Sequence, residues 1–116
     1  MDKVKVLVVE DNQRWQDTFA RKFGQDFQLL QATTIEQGEE LFLANPDIGI
    51  VVMDACVPGD DPNTMNLVKK IRETFVGKMI ASSSVKDYRE ILMAAGCSHQ
   101  CPKNDLFEKF PELANA

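Results

Sequence analysis

The sequence has no long hydrophobic run, and its apolar stretches are interrupted by charged or polar residues within a few positions. A helix that crosses a bilayer needs about 20 consecutive, mainly apolar residues. The amino-terminal run from Val4 to Val9 is also too short, and too charged at its margins, for a signal peptide. We therefore expect a protein that does not insert into membranes and that works in the cytoplasm.

Cysteine is scarce, with three residues at Cys56, Cys97 and Cys101. An odd number of cysteines in a chain with no export signal argues against a disulfide framework. The segment from Cys97 to Cys101 contains His99, but it lacks a second ligand cluster and the usual zinc-ligand spacing. We expect these cysteines to be small, buried thiols near a strand.

Basic residues are fewer than acidic ones, at 13 against 18, which gives a net charge of -5. This sign is wrong for a surface that must neutralise the phosphates of a nucleic acid, so direct nucleic-acid binding is not expected. At 116 residues, with 44% hydrophobic and 27% charged residues, the chain has the size and composition of an ordinary globular domain. One domain spanning residues 1–116 is the expectation.

Strand and helix signals alternate along the chain. The predicted strands are Lys3 to Val9, Phe27 to Gln31, Asp47 to Asp54, Met79 to Ala81 and Ser98 to Cys101. The predicted helices contain the stripe of Trp15, Phe19 and Phe23 before Gly24, the segment from Thr34 to Asn45, the segment from Met65 to Phe75, the segment through Ile91 and Ala95 to Gly96, and Leu106 to Phe110. Pro111 is expected to interrupt the last helix, since proline cannot continue the helical hydrogen bonds. This alternation predicts a parallel sheet with helices on both faces.

Acidic residues stand where the first and third predicted strands end. Glu10 and Asp11 follow the first strand, and Asp54 ends the third. Ligands of parallel sheets bind beyond the carboxyl ends of the strands, and carboxylates held close together need a cation between them. Mg²⁺ prefers such oxygen ligands and commonly bridges carboxylates to a phosphate. A carboxylate nucleophile at this place could form an aspartyl phosphate.

Two further polar features lie where later strands end, namely Lys103 and the run Ser82 to Ser84. An ammonium group and a hydroxyl group could both stabilise a phosphoryl group there. Each feature also has a simpler interpretation. Lys103 could be a solvated surface lysine, the serines could cap the fourth helix, and Glu10 with Asp11 could be an acidic helix start.

Four motifs in order carry a resemblance to a known family. They are Glu10-Asp11-Asn12, the segment Met53 to Gly59, the segment Met79 to Ser84, and Ala95-Gly96-Cys97 followed by Lys103. Over nearly its whole length the chain resembles the receiver domains of bacterial two-component response regulators, of the single-domain, chemotaxis-regulator-like kind. The resemblance implies a flavodoxin-like, doubly wound α/β fold with five parallel strands in the order 2-1-3-4-5 and helices on both faces.

The resemblance also implies roles for individual residues. The implied Mg²⁺ ligands are Asp11 directly, Glu10 mainly through water, Asp54, and the backbone carbonyl of Cys56. Asp54 would be the phosphorylated residue. Ser83, with Ser82 as the alternative, would contact the phosphoryl group together with Lys103.

Three departures from the family pattern affect signalling more than chemistry. Gln100 stands where the family usually has an aromatic switch residue, and Asn104 replaces the proline that normally follows the lysine. The loop from Asp60 to Asn63 is longer and more acidic than usual. We therefore expect an atypical output surface.

The function implied is a phosphorylation-dependent switch or phosphorelay intermediate, not a turnover enzyme. A sensor histidine kinase or a histidine phosphotransfer protein would donate the phosphoryl group to Asp54, and an unidentified downstream protein would bind the result. The alternative is a pseudo-receiver that acts as a phosphorylation-independent interaction module. A flavin or dinucleotide domain lacks support, because Glu10 and Asp11 replace the glycine-rich turn. An aspartate-based phosphatase would have a second aspartate at the position of Cys56.

Overall fold

The computed structural model describes residues 3–115. Its strands are β1 (Val4–Val9), β2 (Phe27–Ala32), β3 (Ile48–Asp54), β4 (Lys78–Ser82) and β5 (His99–Cys101). Its helices are α1 (Gln13–Phe23), α2 (Ile35–Ala44), α3 (Met65–Arg72), α4 (Lys86–Ala95) and α5 (Leu106–Asn115). The alternation of strands and helices predicted from the sequence is confirmed.

The strands form one parallel sheet in the order β2-β1-β3-β4-β5. The predicted strand order is therefore confirmed. The chain order reverses beside β1, so β1 and β3 are neighbours although a helix, a strand and a second helix separate them in sequence. Val9 at the end of β1 pairs with Met53 of β3, and Asp54 pairs with Ser82 of β4. The polar residues that follow these strands consequently meet at one edge of the sheet.

Helices cover both faces of the sheet. The strands β1, β3 and β4 accordingly carry buried apolar side chains on each face. One cluster contains the predicted stripe of α1, in which Trp15, Phe19 and Phe23 are buried. The ring of Phe110 from α5 lies 5.0 Å from that of Phe19, centroid to centroid. The second cluster packs α2, α3 and α4 against the other face and includes Cys97.

Helix ends follow the predicted capping signals in most places. Thr34 caps α2, with its hydroxyl oxygen accepting from the N–H of Gln37 at 3.0 Å. Gly24 ends α1 as predicted. Gly96 ends α4 at φ 144°, a left-handed conformation that favours glycine. Helix α3 is shorter than predicted, because it ends at Arg72 and the chain turns before Phe75.

The expectation that Pro111 interrupts the last helix is wrong, since α5 continues through it to Asn115. Proline removes one helical hydrogen bond, but tertiary contacts hold the following turn in place. Phe110 is fully buried beside the proline. The Lys78 ammonium donates to the carbonyl oxygens of Leu113 and Ala114 at 3.1 and 2.9 Å. These contacts outweigh the local preference of the proline.

The three cysteines have free thiols, with Cys97 and Cys101 buried and Cys56 half-buried. No helix within residues 3–115 is both long and apolar enough to cross a membrane.

Candidate functional site

The carboxylates of Glu10, Asp11 and Asp54 meet at the carboxyl edge of the sheet. One oxygen from each lies within 4.8 Å of the others. The cause is the register of the sheet, since β1 and β3 are neighbours and end at the same level. Three acidic groups that are distant in sequence therefore occupy one small volume, as their places at the strand ends predict.

Two of the three carboxylates are deeply buried. Glu10 is 1% exposed and Asp54 is 6% exposed, whereas Asp11 is more accessible. One oxygen of Glu10, Oε2, accepts from the backbone N–H of Asn12 at 2.9 Å. A buried ionised carboxylate needs such partners or a cation, because its loss of hydration is costly.

Lys103 supplies a cation from the loop after β5. Its Nζ lies 2.6 Å from Glu10 Oε1 and 3.8 Å from Asp54 Oδ2. The backbone around it is anchored by Trp15, whose indole N–H donates to the Lys103 carbonyl oxygen at 3.3 Å. In this arrangement the ammonium pairs mainly with Glu10, and Asp54 is its more distant partner.

One ammonium group does not neutralise three carboxylates, and the pKa values show the imbalance. Burial, followed by the charge of Glu10, raises the pKa of Asp54 from 3.8 to about 7. Burial likewise raises the pKa of Glu10 despite its bond to Lys103. Burial lowers the pKa of Lys103, but the bond to Glu10 and the charge of Asp54 outweigh it and leave that pKa above its ordinary value. A second cation would relieve the repulsion.

Two of the carboxylates, those of Asp11 and Asp54, open into a cavity of about 280 Å³. Its lining residues are Asp11, Asn12, Asp54, Cys56, Gly59, Asp60, Ser83, Ser84, Val85, Tyr88 and Lys103. A larger depression of about 810 Å³ lies near the amino ends of the strands, where Lys5 is paired with Asp47 at 2.9 Å. The cluster of carboxylates lies at the smaller cavity, so that cavity is the candidate site.

Cys56 lines the cavity two residues after Asp54, and its thiol is a poor nucleophile at neutral pH. Burial, followed by the charges of Asp54 and Asp60, raises the pKa of its thiol above 9.0. The thiol is therefore protonated at neutral pH and is a poor ligand for a hard cation. The backbone carbonyl oxygen of Cys56 is the group of this residue that suits a hard cation.

Two serines at the end of β4 lie beside Asp54. Ser83 lines the cavity, and its Oγ accepts from the N–H of Val85 at 3.1 Å, which leaves its own proton available. Ser82 pairs with Asp54 in the sheet, is 1% exposed, and has no hydrogen-bond partner for its Oγ among residues 3–115. The helix cap itself is Val85. In the part of the chain that the structure describes, no side chain makes a cap hydrogen bond to α4, so the interpretation of these serines as its cap is wrong.

Three residues that the sequence did not single out support the site. The hydroxyl of buried Thr64 donates to the carbonyl oxygen of Asp54 at 2.8 Å and lies 3.2 Å from that of Ala55. The side chain of Asn63 accepts from the N–H of Val57 at 2.8 Å and donates to its carbonyl oxygen at 3.0 Å. These contacts hold the loop between β3 and α3. The position of Thr64 just before an amphipathic segment was the available signal.

Gln16 is the third such residue. It is fully buried, and its amide nitrogen lies within 3.2 Å of the carbonyl oxygens of Val8, Glu10 and Ala32. This side chain therefore ties α1 to the ends of β1 and β2 beneath the carboxylates. A single glutamine between apolar positions of a helix gave no signal for this role.

Comparisons with known proteins bear on the fold. No family model matches the sequence, and no curated protein matches it. Solved structures do match. The non-phosphorylated HemR receiver domain from Leptospira biflexa superposes with a TM-score of 0.81 at 21% identity, covering 98% of this chain and 96% of that one.

Two further structures superpose over similar lengths. Vibrio cholerae chemotaxis protein CheY4 gives a TM-score of 0.84 at 12% identity, with 98% of each chain covered. The CheX-CheY-BeF3-Mg complex from Borrelia burgdorferi gives 0.77 at 18% identity, with 95% of this chain and 88% of that chain covered. The chain has the receiver-domain fold. At these sequence identities the superpositions show a shared architecture only. The chemistry has to be argued from the residues of the site.

Proposed function

We propose that this chain is a receiver domain of a two-component system, in which Asp54 accepts a phosphoryl group and thereby alters the binding of a partner protein. The observation that carries the proposal is the convergence of three carboxylates within 4.8 Å, with an ammonium group beside them, at the carboxyl edge of a receiver fold. Each part alone has simpler explanations. Their combination matches the requirements of phosphoryl transfer to a carboxylate.

The site fits a hard divalent cation. Its donors are carboxylate and carbonyl oxygens, and burial, followed by the neighbouring carboxylate charges, raises the pKa of Asp54 despite the nearby Lys103. We expect Asp11 and Asp54 to bind Mg²⁺ directly, Glu10 to act mainly through water, and Cys56 to contribute its carbonyl. The bound ion would neutralise charge on the phosphoryl oxygens. The Borrelia burgdorferi complex, which contains BeF3 and Mg, supports this assignment.

In the proposed reaction a carboxylate oxygen of Asp54 attacks the phosphorus atom of a phosphohistidine donor. An O–P bond forms and the P–N bond breaks, and the electron pair of that bond stays on the histidine nitrogen. Asp54 must be ionised to attack, and because its pKa is raised to about 7, a bound cation would increase its ionised fraction at neutral pH. The chain would support its own phosphorylation and dephosphorylation without being a turnover enzyme.

The groups around Asp54 would stabilise the transferred phosphoryl group. Lys103 would exchange its bond with Glu10 for one with a phosphoryl oxygen, a movement that its 3.8 Å separation from Asp54 allows. Ser83 would donate its free hydroxyl proton from the cavity wall. Ser82 is the alternative donor, because its buried hydroxyl has no partner among residues 3–115.

The donor would be a sensor histidine kinase or a histidine phosphotransfer protein, and the output an unidentified protein. The net charge of -5 disfavours direct binding to nucleic acid. A cytoplasmic location stays a prediction.

A phosphorylation-independent docking module is the second candidate, and the observation that favours it is Gln100. Its side chain is exposed on β5, at the place where the family usually has an aromatic switch residue. In a docking module without a phosphorylation cycle, the three carboxylates would still be present but would bind no phosphoryl analogue. The two candidates therefore differ in the response to such an analogue.

The test is fluorine NMR with beryllofluoride, which mimics a phosphoryl group on a carboxylate. We expect a bound-fluoride signal with Mg²⁺ present and none without it. Asp54→Asn should remove the signal, whereas the matched change Asp26→Asn, at an exposed loop residue, should leave it unchanged. No signal from the unmodified chain, or an equal signal from Asp54→Asn, would favour the docking module.

A further inference from the structure

The side chain of Arg89 in α4 connects the candidate site to the outer surface. Its Nη1–H donates to the backbone carbonyl oxygen of Ser83 at 2.9 Å, and its Nε–H donates to Oε1 of Gln100 at 3.2 Å. Ser83 is buried in the wall of the site cavity, whereas Gln100 is exposed on β5. One guanidinium group thus touches both the end of β4 at the site and the surface of β5.

The contacts of Arg89 are those of a bridge and not of an ion pair. Both acceptors are neutral, and within residues 3–115 no carboxylate oxygen lies within 4.0 Å of the guanidinium. A guanidinium presents several N–H donors in a rigid plane, so the positions of its two acceptors are coupled through that plane. A displacement of the Ser83 carbonyl therefore changes the geometry of the bond to Gln100.

We propose that Arg89 is a positioning residue that transmits the phosphorylation state of Asp54 to the surface around Gln100. The inference rests on the proposed function of Asp54. The Ser83 hydroxyl already accepts from the N–H of Val85 and has its proton free. When that proton is donated to a phosphoryl oxygen, the backbone of Ser83 moves with it, and Arg89 moves with the Ser83 carbonyl.

Gln100 suits this mechanism because its exposed amide is a polar acceptor on the outer face of β5. Gln100 signals by keeping or losing its hydrogen bond with Arg89, which changes the donors and acceptors that a partner protein meets. The glutamine at position 100, in place of the usual aromatic residue, then changes how the site is coupled to the surface of β5 without abolishing that coupling.

The test compares NMR spectra before and after Mg²⁺ and beryllofluoride are added to the whole chain. The readout is the side-chain amide of Gln100, and the fluorine signal of bound beryllofluoride is recorded on the same samples. Arg89→Met removes the donors, and Arg89→Lys keeps the charge but loses the planar fork. Lys86→Ala is the control, because Lys86 lies on the same helix and its recorded partner is the exposed Glu90.

We expect a shift of the Gln100 amide in the unmodified chain and in Lys86→Ala. In both Arg89 variants the shift should shrink several-fold while the bound-fluoride signal remains. If Arg89→Met does not fold, Arg89→Lys decides the question. A Gln100 shift of undiminished size in an Arg89 variant that binds beryllofluoride would overturn the inference alone. No binding by the unmodified chain would overturn the proposed function and this inference with it.

Discussion

Replacing Asp54 with asparagine should stabilise the metal-free domain above neutral pH. Asp54 is 6% exposed and lies beside Glu10 and Asp11, and within residues 3–115 the ammonium group that pairs with it is that of Lys103. Asparagine has nearly the same shape and no charge, so it removes the repulsion and leaves the packing intact. A site built to be neutralised by a ligand should be destabilising when the ligand is absent.

The size and pH dependence follow from the pKa of Asp54, which rises from 3.8 in the unfolded chain to about 7 in the folded one. Between these values the folded chain holds a proton that the unfolded chain has lost, so stability falls as the pH rises and the loss is complete above about pH 7. At 1.36 kcal/mol for each pKa unit the ceiling is about 4 kcal/mol. Water in the open cavity screens the repulsion, and we expect a gain of about 1–3 kcal/mol.

The measurement is urea unfolding of the unmodified chain and of Asp54→Asn in the presence of a chelator. The difference in the free energy of unfolding should be close to zero near pH 4 and should grow to its full value near pH 8. Mg²⁺ at about 100 times its dissociation constant should stabilise the unmodified chain by about 2.7 kcal/mol, and Asp54→Asn by less. Asp26→Asn is the control. An Asp54→Asn variant less stable than the unmodified chain at pH 8 would refute the reasoning.

Three further predictions concern the support of the site and the core. Thr64→Val should lower the free energy of unfolding by about 1–3 kcal/mol, because a buried hydrogen bond is lost, as measured by urea unfolding. Phe110→Ala should lower it by about 3–5 kcal/mol, because the fully buried ring leaves a cavity, as measured by thermal and urea unfolding. Mg²⁺ should change the fluorescence of Trp15, whose indole is bonded to the backbone of Lys103, and Asp11→Asn should weaken that response.

Each of these predictions has a contrary outcome. Thr74→Val, at an exposed threonine, is the control for Thr64. An equal loss of unfolding free energy in both variants would show that the buried hydrogen bond of Thr64 does not add to stability. A loss below about 1 kcal/mol for Phe110→Ala would mean that its neighbours close the cavity. A Trp15 response that is unchanged in Asp11→Asn would place the Mg²⁺ effect elsewhere.

The architecture could be predicted from the sequence because its signals are local and repeated. The apolar run before Asp54 has no alternation, which is typical of a strand covered on both faces. The stripe of Trp15, Phe19 and Phe23 has helical spacing. Parallel strands bring their carboxyl ends to one edge, so the meeting of the acidic residues followed from the order of the elements.

The contacts that depend on side-chain reach could not be predicted in this way. The ammonium of Lys103 lies closer to Glu10 than to Asp54, and this choice depends on distances that no spacing in the sequence encodes. The bridge formed by Arg89 joins α4 to the loop after β4 and to β5. The continuation of α5 through Pro111 shows the same limit, because burial of Phe110 outweighs a local rule.

The most direct test of the central claim is the intact mass of the chain after incubation with acetyl phosphate and Mg²⁺. The account predicts a gain of one phosphoryl group, carried on Asp54, that is absent from Asp54→Asn and from samples with a chelator. An unmodified mass under all conditions, or an equal gain in Asp54→Asn, would contradict it.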